Sequence, residues 1–374
     1  MTTKILHCVD DPNMGGVNFA LQSLCGSSIL QQAFEFEIRH VDLTHFQNMT
    51  IDADIVCFHG ASNWRKLLSV AWLKLRYPKI SFILQEHHYS EQFVRHQIAH
   101  PQRFYWMLKL SYSLMDKVVS IAPSQQQWML ANKLLPESKI VQLGQGRDLS
   151  QFVADRTPPE SKHTPANQLP VFAAYGRFHQ QKGFDLLLKA MAQVKQPCLL
   201  KLGGEGEQLP LLQQLAAKLD NVELVGKIDD VPRFVSSCDA VIVPSRWEPF
   251  GLVFIESMVM NKPIISTNVD GLADQIRQHQ PQAMVTIFEA KVSEHDDKQF
   301  VNSLADAIER CLSSVHSSSV LLSSHEPAHA YEQVDNHGQK QHHAPIDDWR
   351  TQQWQDLQQA WKNLFEQLLE DKRG

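Results

Sequence analysis

The sequence predicts an α/β protein made of two doubly wound domains, each a parallel sheet covered by helices, and three observations predict it. Short apolar runs alternate with helical stretches, the pattern of strands buried on both faces. The chain has 374 residues, which at roughly 150 per domain calls for two. A polar stretch, DRTPPESKHTPANQLP at residues 155–170, interrupts the alternation, and its four prolines forbid a continuing helix.

Each half then reads element by element. The first domain, residues 1–160, is expected to place strands at 4–9, 36–41, 55–58, 80–85, 117–121 and 139–142, with helices at 16–30, 62–76, 101–115 and 124–134 between them. A linker follows at 161–170. The second domain, residues 171–345, is expected to hold strands at 171–175, 198–203, 222–225, 240–243 and 263–266, alternating with helices at 183–194, 207–219, 231–237 and 250–260. Residues 313–343 are rich in Ser, His and Gln with few apolar residues, which predicts a mobile surface segment. The closing stretch, 346–374, spaces Trp349, Trp354, Leu357, Trp361, Leu364, Phe365 and Leu368 mostly by three and four, which makes one amphipathic helix.

Composition narrows the function classes. Hydrophobic residues at 43% and charged residues at 20% suit globular cores, and a net charge of -6 has the wrong sign for a nucleic-acid partner. The cysteines show no CxxC spacing, so a reducing compartment is expected and structural zinc is not. The histidine-rich HEPAHA and QKQHH stretches lack partners at metal-binding spacing, so no metal site and no cofactor are expected. No apolar run reaches the length of about 18 residues that spans a bilayer, which predicts a cytoplasmic chain, with peripheral contact at the inner face of the membrane open. The helix over 63–79 bears on that contact. It combines Arg65, Lys66, Lys74, Arg76 and Lys79 with Trp64, Leu68, Trp72 and Leu75. Those apolar positions either dock on anionic lipid or form the inner face that covers the sheet.

The residues that carry chemistry concentrate at strand ends. DAVIVPSRWEPFGLVFIESM, residues 239–258, reads as a buried strand, a loop and a helix with Pro249 at its first position. Phe250, Gly251 and Leu252 would then present backbone N–H groups at the positive end of the helix dipole, where a phosphate binds. Glu248 and Glu256 border that point, and carboxylates accept hydrogen bonds from sugar hydroxyls. YGRFHQQKGF, residues 175–184, sets Arg177 and Lys182 around a tight loop after a strand, where two cations can neutralise a leaving diphosphate. LGGEGEQ, residues 202–208, ends a strand with Gly203 and Gly204. In the first domain PNMGGVN, residues 12–18, brings Gly15 and Gly16 after the first strand. This is not GxGxxG, which weighs against a nicotinamide site. QEHHYSEQF, residues 85–93, delivers Glu86, His87 and His88 to another strand end.

These segments resemble the retaining GT-B glycosyltransferases of group 1 (glycosyltransferase family 4), whose Glu-x7-Glu motif Glu248 and Glu256 match. The resemblance implies two Rossmann-like domains facing across a cleft, a final helix returning to the first domain, and metal-independent transfer of a hexosyl group from a nucleotide-sugar donor to a hydroxyl acceptor. It gives Glu248 the transferred sugar and Glu256 the nucleotide ribose. Arg177 and Lys182 take the donor phosphates, Gly15 and Gly16 the family's double-glycine loop, and Gly203 and Gly204 a turn beside the nucleotide. His87 fits the family's sugar-contacting histidine best by position, with His88 as its competitor. VDGLADQI, residues 269–276, departs from the pattern, since Asp270 and Ala273 replace residues of a double glycine followed by Pro-Glu. The stretch 86–112 resembles bacterial exopolysaccharide and lipopolysaccharide transferases, which implies a glycan or lipid-linked glycan acceptor. The alternatives are a nucleotide-sugar epimerase of the same architecture and a catalytically silent scaffold.

Overall fold

Six strands, β1 (Thr3–Val9), β2 (Phe34–His40), β3 (Ile55–Phe58), β4 (Ser81–Glu86), β5 (Lys117–Ser120) and β6 (Ile140–Gln142), form a sheet of order β2-β1-β3-β4-β5-β6 in a computed structural model. It describes residues 2–10, 15–45, 49–152, 169–279, 285–288, 297–321, 332–334, 340–342 and 346–372. Every pairing in this sheet is parallel. Its helices are α1 (Gly15–Cys25), α2 (Ser28–Gln31), α3 (Trp64–Arg76), α4 (Glu91–Gln97), α5 (Pro101–Ser113) and α6 (Pro123–Ala131).

A second parallel sheet, of order β12-β11-β10-β7-β8-β9, comprises β7 (Val171–Tyr175), β8 (Leu199–Gly203), β9 (Val222–Gly226), β10 (Ala240–Val243), β11 (Ile264–Thr267) and β12 (Val285–Phe288). Its helices are α7 (Phe184–Met191), α8 (Leu209–Ala216), α9 (Val231–Ser236), α10 (Leu252–Val259), α11 (Asp270–His279) and α12 (Asp297–Leu321). In both sheets the chain winds outward one way and then the other. The order therefore reverses between β1 and β3 and between β7 and β10, and the crevices at the carboxyl ends of such strands are where open α/β sheets bind ligands.

The strands are nearly continuous runs of buried Val, Ile, Leu and Phe because helices cover both faces. The final helix, α13 (Ile346–Asp371), packs Trp361, Leu364, Phe365 and Leu368 against Ile5, Leu30, Phe34, Ile55 and Ile83 of the first domain. Ser27 Oγ also donates to Gln358 Oε1 at 2.7 Å.

The structure departs from the sequence expectations at several points. Helix α12 runs to Leu321, into the stretch read as mobile, because it continues the helix that buries Phe300, Leu304, Ile308 and Leu312. Two short strands, β13 (Glu332–Val334) and β14 (Lys340–His342), pair antiparallel within the same stretch, and its remaining residues lie outside those described. Apart from Leu169 and Pro170, so does the linker expected at 161–170. Helix α10 starts at Leu252 rather than at Pro249, because Gly251 at φ 97° is its left-handed N-cap. Helix α3 turns Lys66, Ser69, Val70 and Leu73 inward, leaving Trp64, Leu68, Trp72 and Leu75 on the outside.

Candidate functional site

The second domain's crevice is built from the loops that leave β7 and β10. After Tyr175 the chain passes through Gly176 and Arg177 into a single 3-10 turn, Gln180–Lys182, and then into α7. Gly183 stands at φ 68°, and a Cβ there would meet the Pro244 carbonyl oxygen at 2.1 Å, so only glycine lets this turn lie against the end of β10. Gly204 has the same role one strand over: its Cβ would fall 1.9 Å from the Gly176 carbonyl oxygen. Gly204 thus seats the β8 loop against the Arg177 loop, backbone on backbone, whereas Gly203 makes room for the Ile228 side chain, which a Cβ there would meet at 2.2 Å.

Arg246 ties the two loops together. Its guanidinium grips the Asp185 carboxylate through two bonds of 2.7 and 2.8 Å, and it also donates to the Gln180 carbonyl at 2.9 Å. Its own N–H donates to the Gln181 carbonyl at 2.7 Å. The result is a fixed Lys182, whose Nζ lies 2.5 Å from Glu248 Oε2. Ser245 Oγ donates to the same oxygen at 3.2 Å. Arg177 stands exposed on the same loop. Phe250 is buried in the core, whereas Leu252 opens α10 toward the first domain.

Glu256, one turn into α10, is buried, and both its oxygens are engaged. Tyr175 donates its hydroxyl to Oε2 at 2.8 Å, and Arg147 of the first domain donates from Nη1 to Oε1 at 2.9 Å. Burial pushes the carboxyl up and Arg147 pulls it back. The two glutamates of the motif therefore have separate partners, Glu248 a lysine of its own domain and Glu256 an arginine from across the cleft. Each Glu256 oxygen keeps a second lone pair for a hydroxyl, whereas Glu248 Oε2 already accepts from both Lys182 and Ser245 and the capacity left to Glu248 is on Oε1.

The first domain meets this crevice with three strand ends. Gly15 and Gly16 form the first turn of α1, and a Cβ at Gly16 would lie 3.4 Å from Leu252 Cδ1, so that turn faces the start of α10. Residues 11–14 of the glycine loop lie outside those described. At the end of β4, Glu86 Oε1 accepts the N–H groups of His88 and Tyr89 at 2.9 and 3.3 Å, and its Oε2 accepts the Tyr112 hydroxyl at 2.9 Å. Burial lifts this carboxyl to about 7.

The two histidines part company here. His87 turns back into its own domain, with Nε2 3.0 Å from His59 Nδ1 and Nδ1 3.4 Å from Gln145 Oε1. His59 Nε2 in turn lies 2.8 Å from His7 Nδ1, a buried row of imidazoles in which burial lowers His7 to about 4 and His87 to about 3. With Gln145 accepting, each ring donates to the next, and His7 Nε2 ends the row as a buried atom without a partner. His88 instead places Nε2 3.3 Å from the His59 carbonyl and lies within electrostatic reach of Asp10, Lys66 and, across the cleft, Arg177.

Several residues at this site were not singled out by the sequence reading: Arg147, Tyr175, the Arg246–Asp185 pair, and the Asp10–Lys66 ion pair. Arg246 and Asp185 sit within two and three residues of Glu248 and Lys182, a proximity that could have flagged them. Arg147 gave no such signal, because its partner is 109 positions away. Asp270 was noted only as a departure. It bridges the domains, accepting from Ser90 Oγ at 2.7 Å, the Gln92 N–H at 3.2 Å and the Glu248 N–H at 3.3 Å.

Comparison with known proteins places this geometry. Residues 169–314 match the family model of glycosyl transferases group 1. An uncharacterized glycosyltransferase of Methanocaldococcus jannaschii is 37% identical over 103 residues, 26% of this chain and 29% of that protein. The lipopolysaccharide core biosynthesis glycosyltransferase LpsE of Rhizobium meliloti is 34% identical over 131 residues, 34% of this chain and 38% of LpsE. The aligned part thus spans well under half the length of these curated relatives. Across the whole chain, sucrose-phosphate synthase from Thermosynechococcus elongatus superposes with a TM-score of 0.69 at 20% identity, covering 99% of this chain and 100% of that one. Residues 169–314, nearly the whole of the described second domain, thus match the group 1 glycosyltransferases, and the chain as a whole has the GT-B fold of two facing doubly wound domains.

Proposed function

We propose that this protein is a retaining glycosyltransferase that moves a sugar from a nucleotide-sugar donor to a hydroxyl of a lipid-linked or growing bacterial surface glycan, at the inner face of the cell membrane. The observation that carries the reading is Lys182 held on Glu248 at the mouth of the β7–β10 crevice, beside Arg177 and the start of α10. Lys182 spends one of its three N–H donors on Glu248 and keeps two for a phosphate oxygen. With Arg177 and the helix dipole it compensates the charge that grows on the departing diphosphate, so the glycosidic bond breaks toward a prepared site. Glu248 holds a hydroxyl of the transferred sugar through its free lone pairs, and Glu256 takes the ribose beside Arg147 and Tyr175. The acceptor approaches from the first domain, on the face the leaving phosphate occupies, and the anomeric configuration is retained. Of the two histidines that follow Glu86, His88 is the one within electrostatic reach of Arg177, and His87 supports it from behind through His59. The acceptor class is favoured by likeness to LpsE, a lipopolysaccharide core glycosyltransferase.

The test is thermal stabilisation across a panel of nucleoside diphosphates and nucleotide sugars, followed by a transfer assay with the donor that it names. A selective shift in the melting temperature, lost in Glu256→Ala, together with a fall in turnover of at least a hundredfold in Lys182→Ala, is the expected result. Near-normal turnover in Lys182→Ala would refute its role. Donor conversion without an acceptor would favour the epimerase reading, and a well-folded sample that binds no nucleotide would favour a scaffold.

A further inference from the structure

The outward face of helices α3 and α5 is apolar where a helix face open to solvent is normally polar. On α3, Trp64, Leu68, Trp72 and Leu75 are 44, 69, 40 and 77% exposed, and their spacing of four, four and three lines them up opposite the buried Lys66, Ser69, Val70 and Leu73. On the adjoining α5, Trp106 and Leu110 are 64 and 43% exposed. Cations flank this stripe: Arg65, Arg76 and Lys79 beside α3, Arg103 and Lys109 on α5, with Lys109 Nζ 5.8 Å from the Trp106 ring centre. Neither helix contains an Asp or Glu, in a chain that holds 41 of them and carries a net charge of -6.

We infer that this face docks on an anionic phospholipid bilayer. Tryptophan belongs at the boundary of water and acyl chain, leucine beneath it, and arginine and lysine at headgroup phosphates, and the stripe presents all three on one rigid surface. The excess of cations in an acidic chain selects a negative surface rather than a neutral one. No helix among the described residues is long and apolar enough to cross the bilayer, so the contact lies in the interface. Docking also bears on the crevice. Helix α3 begins at Trp64, five residues after His59, whose carbonyl faces His88, and its Lys66 pairs with Asp10 at the end of β1. The membrane-bound face thus starts beside the first domain's ligand crevice, where it would hold a lipid-anchored acceptor hydroxyl; this last step rests on the transfer reading above, whereas the docking itself does not.

Sedimentation of the full chain with vesicles separates the two. The protein should pellet with phosphatidylcholine vesicles containing about a third phosphatidylglycerol and far less with phosphatidylcholine alone, and the binding should weaken with salt. Leu68→Ser with Leu75→Ser should lower the partition at least about tenfold, and Arg65→Gln and Arg103→Gln roughly fivefold each. All four positions are exposed, so melting temperatures should stay at the wild-type value. Failure to bind the anionic vesicles, or undiminished binding by the leucine variant, overturns the inference. So does a dimer in light scattering that the leucine variant dissolves, since the stripe would then be covered by a second copy. Nucleotide binding is read independently of vesicles, so loss of one reading leaves the other intact.

Discussion

At the scale of single residues, the candidate site depends on buried charges that are satisfied in pairs. Arg246 is the clearest instance, because its side chain and that of Asp185 are 8 and 11% exposed and bonded through both guanidinium arms. Burying two charges is costly, and the pair is tolerable only while both members are present. Arg246→Ala would leave Asp185 buried without a counterion and free the turn that carries Lys182. The expected loss is about 3 kcal/mol or more in urea unfolding, with a fall in turnover alongside. The double variant Arg246→Ala with Asp185→Ala should be more stable than the single one, because it removes the stranded charge. A single variant within about 1 kcal/mol of wild type, the range of exposed pairs, would show that the pair is not what fixes the loop.

At the scale of elements, three neighbouring strands bring their histidines into one row. His7 lies on β1, His59 just beyond β3 and His87 just beyond β4, and these strands are adjacent in the sheet. Desolvation holds their folded pKa values below the unfolded value of about 6.5, so the unfolded chain binds more protons as the pH falls. Their contribution to stability is therefore complete above about pH 6.5 and is lost on acidification toward pH 4. Glu86 acts in the opposite sense: raised to about 7 by burial, it favours the folded state at low pH and loses that effect as the pH rises through 7. The melting temperature should accordingly fall between pH 6.5 and 4.5, and it should fall more steeply in Glu86→Gln, which removes one of the opposing acids, the buried Asp270 being another. A flat profile in both would mean that the row is solvated. Much at this scale was legible beforehand, since the strand runs and the Glu-x7-Glu segment are local patterns. The helix faces were not: α3 carries apolar residues on its outer side and a lysine and a serine on its inner one, so periodicity alone gave two answers. The start of α10 was displaced for a similar reason, because Pro249 suits a first turn but the left-handed Gly251 decides where the turn begins.

At the scale of the whole molecule, what the sequence left unread is the contact between domains, which joins residues far apart in the chain. Trp247 sits against Phe93 and His96 of α4, Ser124 N–H donates to Asp274 at 2.8 Å, and Arg147 reaches Glu256. Asp270 is the bridge that also touches the candidate site, since the carboxylate oxygen that binds Ser90 also accepts the Glu248 N–H. The residue has φ 43°, a conformation that aspartate tolerates when its side chain is hydrogen-bonded nearby, as it is here. One side chain thus touches both the candidate site and the contact between the domains. Opening the cleft to exchange a donor must break the bonds to Ser90 and Gln92 while the bond to Glu248 stays within its own domain. Asp270→Gly removes the bridge and leaves the left-handed backbone relaxed. We expect it to enlarge the radius of gyration measured by X-ray scattering without ligand, and to raise KM for the donor more than it changes kcat, because domain closure must then be driven by donor binding. Burial raises the Asp270 carboxyl to about 6, so the wild type should show the same expansion as the pH drops below that value and the protonated group loses acceptor capacity. An unchanged scattering profile in Asp270→Gly at pH 7.5 would mean that Arg147, Ser124 and Trp247 hold the domains together without it.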